Sequence, residues 1–431
     1  MFRAARKRQP KLHNRMIPLN IRIGFFLALR ALRRASLWTT SLIIFVMILT
    51  FLNLVVVSGI LVGLLQGAID QTRTKFTSDV IVSALNDKKY IENSPNLIGL
   101  IETMPQVEAI TPRYREGGIL EANYKTRKET DKANTATAQL VGIDPFKENM
   151  VTGIASDIVE GAFLAPGDYD QVVLGHYLLK QYIPIESPAF STLENVGIGT
   201  KIRMKVGDVV REVTVKGIVK SKVDEIALRV FMVDSQFRSI IGRNDGNVTE
   251  ISIKLKDGAS PVAVREALVR SGVDRYAKVQ TYEDAQPQFL KDIIATFNML
   301  GNVFSSLGLI VATITIFIVI FINALTRRKF IGILKGIGID GRAIEFSYVF
   351  QSVFYAVIGS TVGLAIVYGS LVPFFAAHPI DFPFSDGILV APANQTFFRV
   401  GLLVISTLIA GYIPAWMIIR KNTLDSILGR N

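Results

Sequence analysis

Residues Ile293–Thr326, IIATFNMLGNVFSSLGLIVATITIFIVIFINALT, contain no Asp, Glu, Lys or Arg. About 20 apolar residues in a helix cross the roughly 30 Å hydrocarbon core of a bilayer, and a charge at its centre costs about 2.5–3.5 kcal/mol. The run therefore reads as a membrane span. Three more stretches share the property, between Arg34 and Asp70, Glu345 and Asp381, and Arg399 and Arg420. The expected class is an α-helical membrane protein with spans at 38–65, 301–325, 346–372 and 397–419.

One span lies near the N-terminus and three crowd the last third, so residues 66–300 form a polar segment too long for a loop. Charge assigns its side. Residues 1–37 carry Arg3, Arg6, Lys7, Arg8, Lys11, Arg15, Arg22, Arg30, Arg33 and Arg34 and no acid, and the 326–345 connection carries Arg327, Arg328, Lys329, Lys335 and Arg342. The 373–396 connection has no Lys or Arg. Basic loops stay inside, so both termini (1–37, 420–431) and 326–345 are expected in the cytoplasm, and 66–300 outside.

The net charge of +12 is then no sign of a nucleic-acid partner. The outward segment is slightly acidic, and the excess sits in the cytoplasmic pieces, where it favours anionic lipid headgroups. Without cysteine there are neither disulfides nor thiolate metal ligands, and His13, His176 and His378 fall on different segments. No metal site is expected. The apolar run after the basic start is too long for a signal peptide and lacks a small-residue cleavage pattern, so it is read as an uncleaved span.

Residues 19–34 place Phe25, Phe26, Leu29 and Leu32 near one face and Arg22, Arg30, Arg33 and Arg34 largely on others. This predicts an amphipathic helix on the cytoplasmic membrane surface, the alternative being a basic tail that only orients insertion. The outward segment mixes strand and helix signals. Strands are expected at 79–84, 107–115, 117–124, 136–143, 171–174, 201–206, 211–219, 228–233, 249–256 and 277–281. Lys201–Val206 alternates strictly, and Gly207-Asp208 supplies a hairpin turn. Helices are expected at 94–103, 175–182, 235–241 and 261–271, the last capped by Ser260 before Pro261. The order indicates an α+β domain, in two lobes if 145–247 is an insert. After Pro287 a helix should lead without a break into the second span.

Chemical motifs are nearly absent. Gly336, Gly338 and Gly341 spell G-x-G-x-x-G, but after a membrane helix and without room for a βαβ unit, so no nucleotide site is expected. Asp168, Asp170, Asp224 and Glu225 have no nucleophile or histidine at a catalytic spacing and read as solvated turn residues. Gly359 and Gly363 permit close helix approach, to a helix of the same chain or of a second copy. Phe374, Phe375, Phe382 and Phe384 give the 373–396 loop an apolar character suited to the membrane surface or to gating a substrate.

Several segments carry a resemblance in the same order. Met104–Arg113 (MPQVEAITPR), Val141–Pro145 (VGIDP), Val172–Gln181 (VVLGHYLLKQ), Thr326–Ile344 (TRRKFIGILKGIGIDGRAI) and Pro414–Leu428 (PAWMIIRKNTLDSIL) resemble the permease subunits of MacB-like, type VII ABC transporters, the group of the lipoprotein-releasing LolC and LolE proteins and of FtsX. Phe330, Gly336, Thr423 and Asp425 depart from the family pattern, which points to a dedicated partner. The resemblance implies that two permease subunits, identical or homologous, pair with two cytoplasmic ATPase subunits in a bacterial inner membrane. ATP and magnesium would be bound by the ATPase and no cofactor by this chain. The 326–345 loop would be the coupling helix, with Ile331, Leu334 and Ile337 as apolar contacts, Arg328, Lys329, Lys335 and Arg342 as polar ones, and Gly332 and Gly338 within it. The implied work is mechanical, on a lipoprotein, lipid or other amphiphile at the outer side. Two other readings are an FtsX-like regulator of a cell-wall hydrolase and a sensor or scaffold with no ATPase.

Overall fold

The computed structural model describes residues 13–128, 132–183, 191–286, 288–382, 385–387 and 389–420. The basic tail through residue 12, Phe384, and the terminal segment with Thr423 and Asp425 lie outside them. Two compact units result. One comprises Met1–Leu64, Ile293–Ile380 and Gly387–Asn431, the other Leu65–Asp292 with Asp381–Asp386.

Four helices are long and apolar enough to span a membrane: Leu37–Thr77, Leu290–Thr326, Gly341–Ala377 and Ala393–Ile419. The first has 41 residues, about 60 Å at 1.5 Å per residue and about twice a bilayer core. Its hydrogen bonding widens to π-helical over Asn53–Val57 and again over Arg73–Thr77. The second helix starts at Gln288 and runs 39 residues unbroken.

In the membrane unit Ala312, Ile316, Ile320 and Ala324, four residues apart on the second span, are buried with Met47 and Phe51 of the first, Tyr355 of the third and Leu403 of the fourth. Ile310, Ile314, Ile318 and Ile322, at the same interval, are exposed and so available to lipid. Close approach is set by small residues. A Cβ on Gly359 would stand 2.5 Å from the Met47 Cβ, and one on Gly363 would overlap the Phe51 ring. The glycine pair thus seats the third span on the first within one chain.

The amphipathic helix, His13–Arg33, does more than lie on a surface. Gly24 abuts Phe346 and the Ala343 carbonyl, and Phe25 meets Phe350 edge-on with ring centres 5.6 Å apart. Phe26 and Leu29 remain exposed, as a lipid-facing side requires.

The large domain is built on one ten-stranded mixed sheet: β1 (Val80–Ala84), β2 (Val107–Ala122), β3 (Asn134–Ile143), β4 (Ile158–Gly161), β5 (Gln171–Gly175), β6 (Lys201–Val206), β7 (Val209–Val219), β8 (Arg229–Val233), β9 (Glu250–Leu255) and β10 (Ala277–Thr281). The order is β10-β1-β9-β2-β3-β8-β5-β7-β4, with β6 paired to β2 and β7. Successive side chains point to opposite faces, so Leu140, Leu174, Val230 and Met232 join one core and Val141, Val173, Phe231 and Val233 a second. The domain is thus one sheet with a core on each face. The 107–124 region is a single strand whose pairing with β3 runs unbroken through Gly117-Gly118. Residues 175–182 make two short 3-10 turns instead of a helix. A helix at Pro145–Thr152, capped by Asp144 accepting from the Phe146 and Lys147 amides, was not expected.

In the 373–396 connection Ile380–Phe382 pairs with Ser385–Gly387, and Asp381 is ion-paired with Lys222 of the large domain at 2.5 Å. Part of this loop, Asp381–Asp386, therefore belongs to the folded domain.

Candidate functional site

Two sites matter, one in each unit. In the membrane unit the short helix Arg328–Gly336 follows the second span, and Gly338, at φ 92°, supplies the left-handed turn into the third. The Asp340 side chain caps that third helix by accepting from the Arg342 amide at 3.1 Å, and it also accepts from Asn20 Nδ2 at 2.8 Å. Lys335 Nζ donates to the carbonyl of Ile419, the last residue of the fourth span, at 2.9 Å. The short helix is thereby tied to the fourth span.

Helical periodicity sorts its side chains, with a correction to the expected contacts. Ile331 and Leu334 are buried in the unit's own core, because positions three apart share the inward face. Gly332 is buried beside them. Of the expected apolar contacts only Ile337 is open, 70% exposed, and it is joined by Phe330 and Ile333 at 56% and 53%. Lys329 and Arg342 are exposed; Arg328 and Lys335 are partly covered.

The second site closes the outer end of the first long helix. Arg113, on β2 and fully buried, grips Glu148 with two hydrogen bonds, Nε to Oε2 at 2.8 Å and Nη2 to Oε1 at 2.7 Å. Its Nη1 reaches Glu250 at 3.2 Å and the Phe76 carbonyl at 3.0 Å. Arg229 donates to the same Glu250 oxygen at 3.0 Å. The Phe76 ring lies against both guanidiniums, 4.6 Å from Arg229 and 5.6 Å from Arg113. Burial alone would raise the Glu250 pKa, but Arg229, Arg113 and Arg115 outweigh it and hold the carboxyl ionised down to about 2. Around this core Arg73 donates to Asp79 at 2.8 Å and Lys75 pairs with Asp157 at 2.8 Å.

Phe76 belongs to the last turn of the first helix, and β1 starts four residues later. β1 pairs with β10, after which the chain enters the second long helix. The two connections to the membrane unit thus leave from neighbouring strands. Sequence reading missed this cluster. Glu250 and Ser252 alternate with Ile251 and Ile253 and so mimic a solvent face, while Arg229 in the apolar run to Val233 was the one visible signal.

Asp168 and Asp170 are not free in solvent. Asp168 pairs with Lys216 and Asp170 with Arg211, at 2.5 and 2.8 Å. Glu225 is half-buried and, like Asp224, has its pKa raised chiefly by burial. Among the described residues no cluster of His, Asp or Glu could hold a metal ion.

Four apolar helices, a sheet domain between the first and second, and a basic amphipathic helix after the second define a polytopic membrane protein with a large extracytoplasmic domain. Family models match both parts: the MacB-like periplasmic core domain over residues 40–271 and the FtsX-like permease C-terminal region over 302–423. The chain belongs to the MacB/FtsX-type family of ABC transporter permeases. It is 25% identical to an uncharacterised ABC transporter permease of Methanocaldococcus jannaschii over 63% of this chain and 66% of that protein. It is 20% identical to the macrolide export ATP-binding/permease protein MacB of Campylobacter fetus over 43% of this chain and 28% of that protein. The matched stretch is thus less than two thirds of each relative's length. The periplasmic region of MacB from Actinobacillus actinomycetemcomitans superposes over 49% of this chain and 92% of that chain at 18% identity and a TM-score of 0.34, too loose to carry an argument.

Proposed function

We propose that this chain is the membrane subunit through which a separate cytoplasmic ATPase moves an extracytoplasmic domain. The observation that carries the reading is the helix Arg328–Gly336, tied to the fourth span through Lys335 while Phe330, Ile333 and Ile337 stay uncovered. An apolar face held this way suits a partner that pushes on it. Because Ile331 and Leu334 sit in the packed core of the membrane unit, a push would be carried into the spans, and the long first and second helices would deliver it to β1 and β10. The buried charges around Phe76 would keep the first helix from slipping, since removing one partner of such a group leaves an uncompensated charge. The ATPase, with its ATP and magnesium, lies in the partner, and a second permease copy or homologue completes the assembly. In this reading both termini are cytoplasmic, in a bacterial inner membrane, and the cargo is a lipoprotein, lipid or other amphiphile handled from the outer side.

The test is mild extraction of the tagged full chain from its native membrane, with mass spectrometry of what accompanies it. A stoichiometric ATPase with a lipoprotein or amphiphile is expected. An ATPase with a cell-wall hydrolase would instead favour the regulator, and a folded, dimeric preparation with no ATPase would overturn the proposal.

A further inference from the structure

A cleft of about 610 Å³ opens among the first, second and fourth spans. Its polar lining includes Ser58, Asn302, Ser305 and Arg399. The Ser58 and Ser305 hydroxyls are bonded to each other at 3.0 Å, which closes the cleft between the first two spans. Arg399 makes no hydrogen bond or ion pair with any described residue, and no described acidic residue lines the cleft. Leu54 and Leu402 give it apolar walls.

Depth identifies what can answer this arginine. Ser58, Ser305 and Arg399 stand about 20 residues from Leu37, Thr326 and Ile419, the helix ends on the Arg328–Gly336 side, or about 30 Å at 1.5 Å per residue. That distance is the thickness of a bilayer's hydrocarbon core, so the three groups lie at the level of the opposite headgroups. A guanidinium there is weakly hydrated and forms paired hydrogen bonds with phosphate oxygens. From these observations we infer that the cleft is a phospholipid site of the outer leaflet, with the headgroup phosphate on Arg399, neutral donors such as Asn302 beside it, and an acyl chain against Leu54 and Leu402. The inference goes beyond the coupling reading; it needs that the four helices span the bilayer, and the assignment to the outer leaflet rests on the orientation given under the proposed function.

The test uses the full chain in maltoside micelles and native mass spectrometry, adding phosphatidylglycerol, a diacylglycerol with the same acyl chains, or inorganic phosphate. One phosphatidylglycerol per chain should survive stripping, the diacylglycerol should not bind, and millimolar inorganic phosphate should not displace the lipid. Arg399→Gln should weaken binding about tenfold, the loss expected for a charge-assisted bond, with Arg399→Lys intermediate and Arg30→Gln on the other membrane side unchanged. If Arg399→Gln fails to fold, Asn302→Leu, which keeps the charge and removes a donor, must still weaken binding. Undiminished binding in the variant that folds, equal binding of diacylglycerol, or displacement by inorganic phosphate would each overturn the site. None of these outcomes depends on whether an ATPase binds, so failure here and failure of the coupling proposal are separable.

Discussion

In the large domain protein covers both faces of the sheet, one with apolar side chains and the other partly with the charges of Arg113, Glu148, Arg229 and Glu250. In the membrane unit protein covers one face of the second span, Ala312 to Ala324, and leaves Ile310 to Ile322 to lipid. The comparison teaches where specificity comes from in each solvent. In water, alternation fixes the faces and a buried charge cluster can fix position; in lipid, every face is apolar, and the seat is chosen by small residues that let one helix enter another.

The charge cluster of the large domain should give the largest effect on substitution. Arg113→Ala leaves Glu148 buried without its ion-pair partner and Glu250 with Arg229 but one cation fewer, and removal of one member of a buried pair costs about 3–5 kcal/mol. Both tryptophans, Trp38 and Trp416, lie in the membrane unit, so the loss should be read by hydrogen exchange of β2 and β9 amides in the full chain. Unchanged protection would mean the cluster is not what holds the end of the first helix.

A smaller effect probes the lipid side. Gly363→Leu would drive a side chain into the Phe51 ring, and overpacking costs about 1–3 kcal/mol. The melting temperature in detergent should fall, and adding Phe51→Ala should recover part of the loss, a coupling that a double-mutant cycle measures. Strictly additive effects would place the contact elsewhere, as at an interface between copies.

Acid probes the large domain more gently. Burial is the first cause that depresses the His176 pKa, to about 4, with Lys220 adding to it. The folded form thus resists a proton that the unfolded chain accepts near 6.5, so stability from this group is complete above about 6.5 and declines as pH falls toward 4. Glu250 acts lower, its contribution fading as pH falls from the ordinary carboxylate range through about 2. His176→Phe should flatten the upper part of the acid profile of the large domain and leave the lower part. Identical profiles in variant and parent would contradict the assignment.

Four spans, their order and most strands were legible because length, charge and alternation are properties of a single chain. Which face of a span is inward was not: Ile316 and Ile314 are the same residue two positions apart, one buried and one exposed. The same ambiguity misdirected the short helix, where Ile331 and Leu334 looked as available as Ile337. The Arg113 cluster was hidden because β2 and β9 come together from distant parts of the sequence, and local alternation alone made Glu250 look solvated.

The sharpest test turns on the two faces of the helix Arg328–Gly336. Ile333→Asp with Ile337→Asp alters its open face alone, whereas Leu334→Asp places a charge in the packed core of the membrane unit. The double variant should insert and melt like the parent but no longer co-purify with an ATPase, while Leu334→Asp should lose thermal stability. An ATPase retained at full stoichiometry by the double variant would contradict the coupling reading.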